Sequence, residues 1–359
     1  MKTTDGELDA LWRQTSGWFS GSGDSTGTVI SSRARLARNL ADLPFPQQAT
    51  EDERSRAVEA VLAASQQSRS LASASFFDAV RLEKVDRHLL VERHLISLHL
   101  AEQKGPCGVL VKEDETISVM INEEDHLRIQ TILAGFEPEK VWECVNRVDE
   151  ELSKSLDFAF SKRWGYLTAC PTNTGTGLRV SALVHLPGLV LTREIEAALR
   201  GVRQMGFAVR GYHGEGTDVI GNLLQISNQV TLGVSEEDTI ALLRQVIEQI
   251  IRCEGDARKA LMRDAKAHLE DKIWRAYGIL LHARMLSSQE YLNLASAVRL
   301  GLLVGILKQI DVTVLNELMV LTQPSHLQKL AGHQLVPPER DIFRAGFVRL
   351  KIQENLESY

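Results

Sequence analysis

Cys170-Pro171-Thr172-Asn173-Thr174-Gly175-Thr176-Gly177-Leu178-Arg179 is the stretch around which the rest of the chain can be read. It lies between a strand-like run, Tyr166-Leu167-Thr168-Ala169, and an apolar run from Val180 to Val190. Pro171, Gly175 and Gly177 break regular structure, so the segment is a loop whose backbone N–H groups can face a ligand. It ends on an arginine, whose planar fork suits a phosphate, and a thiol opens it. As a bare motif it fits an anion site, and equally an ordinary Gly/Pro loop with a buried cysteine.

Two stretches on the N-terminal side carry related chemistry. In Val29-Ile30-Ser31-Ser32-Arg33-Ala34-Arg35-Leu36 a strand puts Arg33 and Arg35 on one face, because strand side chains alternate. Like charges side by side suit a solvated face or the surroundings of a polyphosphate. The alternating strand Ile117-Ser118-Val119-Met120-Ile121 runs into Asn122-Glu123-Glu124-Asp125-His126-Leu127-Arg128. Three successive carboxylates repel one another unless solvated or set around a cation, which can be a metal, a guanidinium or an amine. His88, His94 and His99 fall on a predicted helix over 86–100. They lack the i, i+4 spacing of a metal pair, so no metal site is expected.

On the C-terminal side, paired strands at 207–210 and 223–232 flank Gly211-Tyr212-His213-Gly214-Glu215-Gly216-Thr217-Asp218-Val219-Ile220-Gly221, a glycine-rich connection of the kind that closes over ligands. Thr50-x-x-Glu53 and Ser235-x-x-Asp238 read as helix starts, and a hairpin is expected around 112–115. A short helix over 7–19 and a Ser/Gly linker precede the first strand. After Ser235 the periodicity is wholly helical. The expected domains are 1–28, 29–250 and 251–359, in an α+β architecture of an antiparallel sheet flanked by helices plus an all-helical C-terminal domain. In the tail, Arg340-Asp341-Ile342-Phe343-Arg344-Ala345 puts Asp341, Arg344 and Arg340 near one helix face, where an Asp–Arg salt bridge is the plainest reading.

With 359 residues and a net charge of −6, the chain is mildly acidic, which argues against a general nucleic-acid binder but leaves room for a local basic cleft. Cys107, Cys144, Cys170 and Cys253 form no CxxC pair, which suggests neither a zinc site nor a disulfide framework and fits a reducing, cytoplasmic setting. No export signal is evident near Met1 and no membrane span is expected.

Taken together, Ser31-Ser32-Arg33-Ala34-Arg35, Asn122 to Arg128, Cys170 to Arg179 and Arg210-Gly211-Tyr212-His213-Gly214-Glu215 resemble the phosphagen kinase catalytic domain in order and spacing. The resemblance spans nearly the whole chain and is closest to the bacterial protein-arginine kinases of the McsB type. It implies an ATP-phosphate clamp of Arg33, Arg35, Arg128, Arg179 and Arg210. Ser31, Ser32, Ala34, the loop Val180-Ser181-Ala182-Leu183 and Gly211-Tyr212-His213-Gly214 would lie beside the nucleotide, with His94 near its adenine or ribose. Glu124 and Glu215 match the carboxylates that grip the guanidinium, and Cys170 the thiol beside it. Arg340, Asp341, Arg344 and Ala345 resemble a phosphoarginine pocket. Also implied are Mg²⁺, a homodimer, a zinc-containing activator protein, a heat-shock repressor among the arginine-bearing substrates, and delivery of marked proteins to an unfoldase–protease in the stress response.

The chemistry explains the residue types. A guanidinium with a pKa near ~13 costs roughly 8 kcal/mol to neutralise at pH 7 before its nitrogen can attack phosphorus. Two carboxylates can hold the planar group in line and accept its proton. Glu124 is the expected base, since its acidic neighbours should raise its proton affinity, while Glu215 orients the substrate. Two other readings remain at this point: a kinase for free arginine or another small guanidino compound, and a non-catalytic phosphoarginine-binding adaptor.

Overall fold

A computed structural model describes residues 17–21, 27–212 and 219–357. Of the sequence expectations, most of the 7–19 helix, most of the Ser/Gly linker, and His213, Gly214 and Glu215 lie outside those residues.

In chain order the main elements are β1 (Val29–Arg38), α1 (Glu51–Ser65), β2 (Ala74–Asp78), α2 (Lys84–Glu92), α3 (Leu98–Glu102), β3 (Gly108–Lys112), β4 (Ile117–Ile121), β5 (Leu127–Ala134) and α4 (Pro138–Leu152). There follow β6 (Phe160–Ser161), β7 (Gly165–Tyr166), β8 (Leu178–His185), α5 (Pro187–Leu191), α6 (Ile195–Gln204), β9 (Phe207–Gly211), β10 (Leu223–Asn228) and α7 (Glu236–Asp264). The tail holds α8 (Lys266–His282), α9 (Ser288–Leu303), α10 (Val312–Leu321), α11 (Pro324–Ala331) and α12 (Pro337–Glu357). β2-β3-β4-β5-β1-β8-β10-β9 form one eight-stranded sheet, antiparallel at every pairing. This is the expected α+β arrangement of antiparallel sheet, flanking helices and helical tail.

Alternation divides the sheet into two unlike faces. Ala34, Leu36, Ile129, Val180, Ala182 and Ile226 point into a core against α1, α4, α6 and α7. Each is at most 1% exposed. On the other face, Trp18, Ile30, Ile132, Leu183 and Leu223 pack into a second core with the tail helices. Phe77, Val109, Val111 and Met120 join α2 and α3 in a third. The polar stretch between these two clusters is where the site lies.

The capping box at Thr50 and Glu53 forms as read, and Ser235 caps α7. The hairpin around 112–115 forms between β3 and β4. The expected helix over 86–100 is interrupted: α2 stops at Glu92, His94 is left-handed (φ 62), and Ser97 caps α3 by accepting from the Leu100 amide. The 250/251 dividing line falls within α7, which continues to Asp264. The segment Val180–Leu183, expected as a loop, is the interior of β8.

Candidate active site

β1, β5, β8, β9 and β10 bring the expected phosphate clamp together by register alone. Arg35 stands opposite Arg179 and Arg33 opposite Ser181. Arg35 also pairs with Gln130, and Ala37 with Arg128. Across the next strands Ser181 pairs with Ser227 and Leu183 with Gln225, and Gln225 with Arg210. Directly opposed residues of antiparallel strands share a face, so Arg33, Arg35, Arg128, Arg179 and Arg210 all project from the same side of the sheet. Burial first, then Arg128 and Arg179, pushes the Arg33 pKa down to about 10. Arg35 is driven well down by burial and by Arg33, Arg128 and Arg179. The Nε atoms of Arg33 and Arg35 are buried without a hydrogen-bond partner among the described residues. A mutually repelling set of donors, with the Nε atoms of Arg33 and Arg35 buried, is costly unless an anion joins it.

The three carboxylates after β4 point three ways. Glu123, 2% exposed, accepts from Ser97 Oγ and takes an Arg128 ion pair at 2.8 Å. Asp125 turns to the opposite side, accepting from Asn39 Nδ2 at 2.6 Å and from the Ala169 amide at 2.7 Å. Only Glu124 presents its carboxylate outward, 3.5 Å from Arg128 Nη2. The expectation that its acidic neighbours act on it jointly is therefore altered in form. Glu123 is already paired, and an arginine stands beside Glu124.

Asp125 also brings the remote segments together. Its bond to Ala169 and that of Asn39 Nδ2 to Leu167 O (3.1 Å) tie the Glu124 turn to the entrance of the Cys170 loop. From below, Arg38 donates to Asp149 at 2.9 Å and to Thr176 O at 3.0 Å, and lies 3.4 Å from the Tyr166 ring centre. Gly177, at φ 67, is required here, because a Cβ would meet Arg38 Nη1 at 2.6 Å and Ala37 O at 2.7 Å. Cys170 Sγ contacts Thr172 Oγ1 at 2.9 Å. Burial and the charges of Arg210 and Arg128 lower the Arg179 pKa, while Cys170 and Glu124 oppose that shift. Arg179 thus stands within electrostatic reach of both the thiol and the outward carboxylate.

Beyond Arg33 the sheet face ends in a small, partly open cavity of about 20 Å³ lined by Trp18, Ser31, His94, Leu183, Tyr212 and Gln225, room for about one water. His94 packs edge-on against Trp18 (5.3 Å) and Tyr212 (5.4 Å), and its carbonyl accepts from Gln130 Nε2 at 2.7 Å. Ser31, Ser181 and Leu183 line this face, whereas the side chains of Ala34, Val180 and Ala182 face the other core. Ser32 donates to Gly135 O and accepts from the Glu137 amide, away from the cavity. These four sequence-assigned contacts could reach a ligand only through backbone atoms. Trp18, Asn39 and Arg38 escaped the sequence reading. Arg38 and Asn39 lie within a few residues of the quoted arginine motif, but their partners lie far along the chain.

The tail residues separate as well. Arg344, 1% exposed, donates to Thr322 O, Leu286 O and Asp341, and Ala345 is in the core. Arg340 instead lines an open cavity of about 880 Å³ with His88, Glu92, Ser325, Lys329 and His333.

Residues 55–257 match the family described as ATP:guanido phosphotransferase, C-terminal catalytic domain. Residues 266–358 match that described as protein-arginine kinase McsB C-terminal domain. The protein-arginine kinase of Halothermothrix orenii is 46% identical over 96% of this chain and 98% of its own. That of Moorella thermoacetica is 47% identical over 94% and 97%. The chain belongs to the protein-arginine kinase family. It is an ATP:guanidino phosphotransferase that phosphorylates arginine in proteins. The kinase is also similar to the crystal structure of lombricine kinase (TM-score 0.58, 25% identity, 67% of this chain and 69% of that one). It shares its fold with a duplicated taurocyamine kinase from Schistosoma mansoni (TM-score 0.60, 22% identity, 81% and 40%). Among the described residues no helix is long and apolar enough to cross a membrane.

Proposed function

We propose that the arginine face binds the phosphates of ATP and that Glu124 removes the proton from the substrate guanidinium. The observation that carries this reading is the convergence of Arg33, Arg35, Arg128, Arg179 and Arg210 beside a single outward carboxylate. The transferring phosphoryl group spreads negative charge over its oxygens, so positioning and electrostatic stabilisation dominate. Arginine forks meet two oxygens at once and are preset by the sheet. Mg²⁺ would enter on the nucleotide phosphates, which it commonly coordinates while keeping several waters. Cys170 would lie beside the guanidinium, and Glu215 is proposed as the second carboxylate. Ser31, His94 and Tyr212 would border the base or ribose, whose entry requires the aromatic rings to separate. Arg340 and Asp341 are proposed as the phosphoarginine-recognising residues of the tail.

At the level of the cell, we propose a cytoplasmic homodimer that marks a heat-shock repressor and other proteins for an unfoldase–protease, under control of a zinc-containing activator. The membership in the protein-arginine kinase family supports this. Incubation with MgATP and an arginine-bearing protein, read by phosphoarginine-preserving mass spectrometry beside free arginine, tests the reading. Phosphoarginine should form in the protein, and Glu124→Gln should abolish most of it. Undiminished transfer by that variant would refute the assigned base.

A further inference from the structure

We propose that an apolar rim around the Cys170 loop docks the stretch of substrate protein on either side of the target arginine. It rests on the reading that this loop and Glu124 receive the guanidinium.

The rim has two flanks. The β6–β7 hairpin carries Phe160 and Trp164, and the segment after β10 carries Val230, Leu232 and Val234. All five are between 38% and 58% exposed. The Cys170 loop joins them. On one side Gly175 exchanges backbone hydrogen bonds with Tyr166, 2.8 and 3.2 Å, and a Cβ on Gly165 would stand 2.5 Å from Gly175 O. On the other, Thr176 N donates to Thr231 O at 3.0 Å, and Thr231 Oγ1 donates to Thr172 O and Thr174 O. A Cβ on Gly175 would collide with Thr231 O. The loop is therefore fixed between two surfaces that hold large apolar side chains in water. Phe160 is braced by Tyr166 at 5.2 Å, and Arg163 lies 4.5 Å over the Trp164 ring, so neither is a loose side chain.

Solitary exposed apolar residues need no explanation, but five of them on the two segments that clasp one loop do. The activity supplies the occupant. An arginine attached to a polypeptide cannot reach the Cys170 loop without its neighbours lying along the walls of that loop. The rim offers those neighbours apolar contact, with the Arg163 guanidinium over Trp164 as a charged neighbour. It therefore favours arginines with large apolar side chains a few positions away, a combination that an extended, locally unfolded segment exposes and a folded surface conceals.

The test uses the full chain, MgATP and two peptides of equal length, each with one arginine, flanked by Leu and Phe or by Gly and Ser. The wild type should show the higher kcat/KM on the apolar-flanked peptide, mainly through KM. Trp164→Ser and Leu232→Ser, one on each flank, should each shrink that preference by about five- to tenfold, with the thermal midpoint unchanged. Leu350→Ser, an equally exposed site on α12, should leave the preference intact. Equal kcat/KM for the two peptides, or a preference that survives both rim substitutions, would overturn the proposal. So would a change in oligomeric state with peptide preference unaltered, which would make a second copy the occupant. Absence of transfer to either peptide by a chain that binds MgATP would overturn the guanidinium-site reading and this proposal with it.

Discussion

Arg35 of β1 and Arg179 of β8 stand directly opposite one another across the sheet, with their side chains on the same face. Like charges so placed destabilise a strand pair by a few tenths to about 1 kcal/mol. In the ligand-free fold, burial adds to that cost. On the proposed phosphate-binding reading, the pair exchanges stability for recognition. Arg35→Met should raise the thermal midpoint of the free protein by about 1–2 °C and abolish most of the further rise that MgADP gives the wild type. Differential scanning calorimetry with and without nucleotide reads both effects. A variant that is less stable yet still stabilised by nucleotide would contradict this account.

Glu124 is 35% exposed at its side chain and contacts Arg128 at 3.5 Å, whereas Glu123 is buried against the same arginine. Substitutions at the two should therefore separate. Glu124→Gln should lower kcat by about a hundredfold or more with the Kd for MgATP within about twofold. Glu123→Gln removes one partner of a buried pair and should cost about 3 kcal/mol of stability as well as weakening nucleotide binding through a displaced Arg128. Urea unfolding and nucleotide titration of the two variants distinguish a chemical role from a structural one.

In the tail, Arg344 and Arg340 should likewise differ. Arg344 satisfies two backbone carbonyls and Asp341 from a buried position, so Arg344→Ala should destabilise the fold by about 3 kcal/mol. Arg340 faces the open cavity, and Arg340→Ala should leave stability within about 0.5 kcal/mol while reducing phosphoarginine affinity at least tenfold in calorimetric titration. Loss of affinity in neither variant would remove the pocket assignment.

Acid should weaken the fold through buried histidines. Burial lowers His126 from 6.5 to about 4 and drives His185 well down. It also lowers His326, although Glu92 opposes that shift. Each is neutral in the folded chain where the unfolded chain would protonate it. Their contributions are complete above about pH 6.5 and are lost as pH falls below it, for His126 until about pH 4, at about 1.4 kcal/mol per pH unit for each group. Urea midpoints should fall steadily from pH 7 to about pH 5, and His126→Gln should flatten that slope even though it lowers stability at pH 7. A slope unchanged in the variant would exclude His126 as a contributor.

Local signals carried much of this architecture. Strand alternation placed Arg33 and Arg35 together, and the Thr50–Glu53 box marked a real helix start. Spacing also linked the Asn122–Arg128 and Cys170–Arg179 segments through family resemblance. What escaped depended on distant partners. Helical periodicity ran through His94 because nothing nearby signals that its ring will lodge between Trp18 and Tyr212. Val180 to Leu183 resembled a ligand loop, yet its pairing to both β1 and β10 makes it a central strand. Arg93 and Glu115 form a buried pair at 2.5 Å that no local pattern signals, and Arg344 read as a ligand contact until its carbonyl partners were in place.

The wall of the small cavity beyond Arg33 draws on Trp18, Ile132 and Leu183, and these belong to the same apolar cluster as the tail helices. A ribosome that has delivered the sheet and α7 has therefore made every arginine of the clamp but has not yet supplied the helices that hold that wall. On the proposed nucleotide-binding reading, a polypeptide terminated before the tail should lack the support of that wall and bind nucleotide poorly.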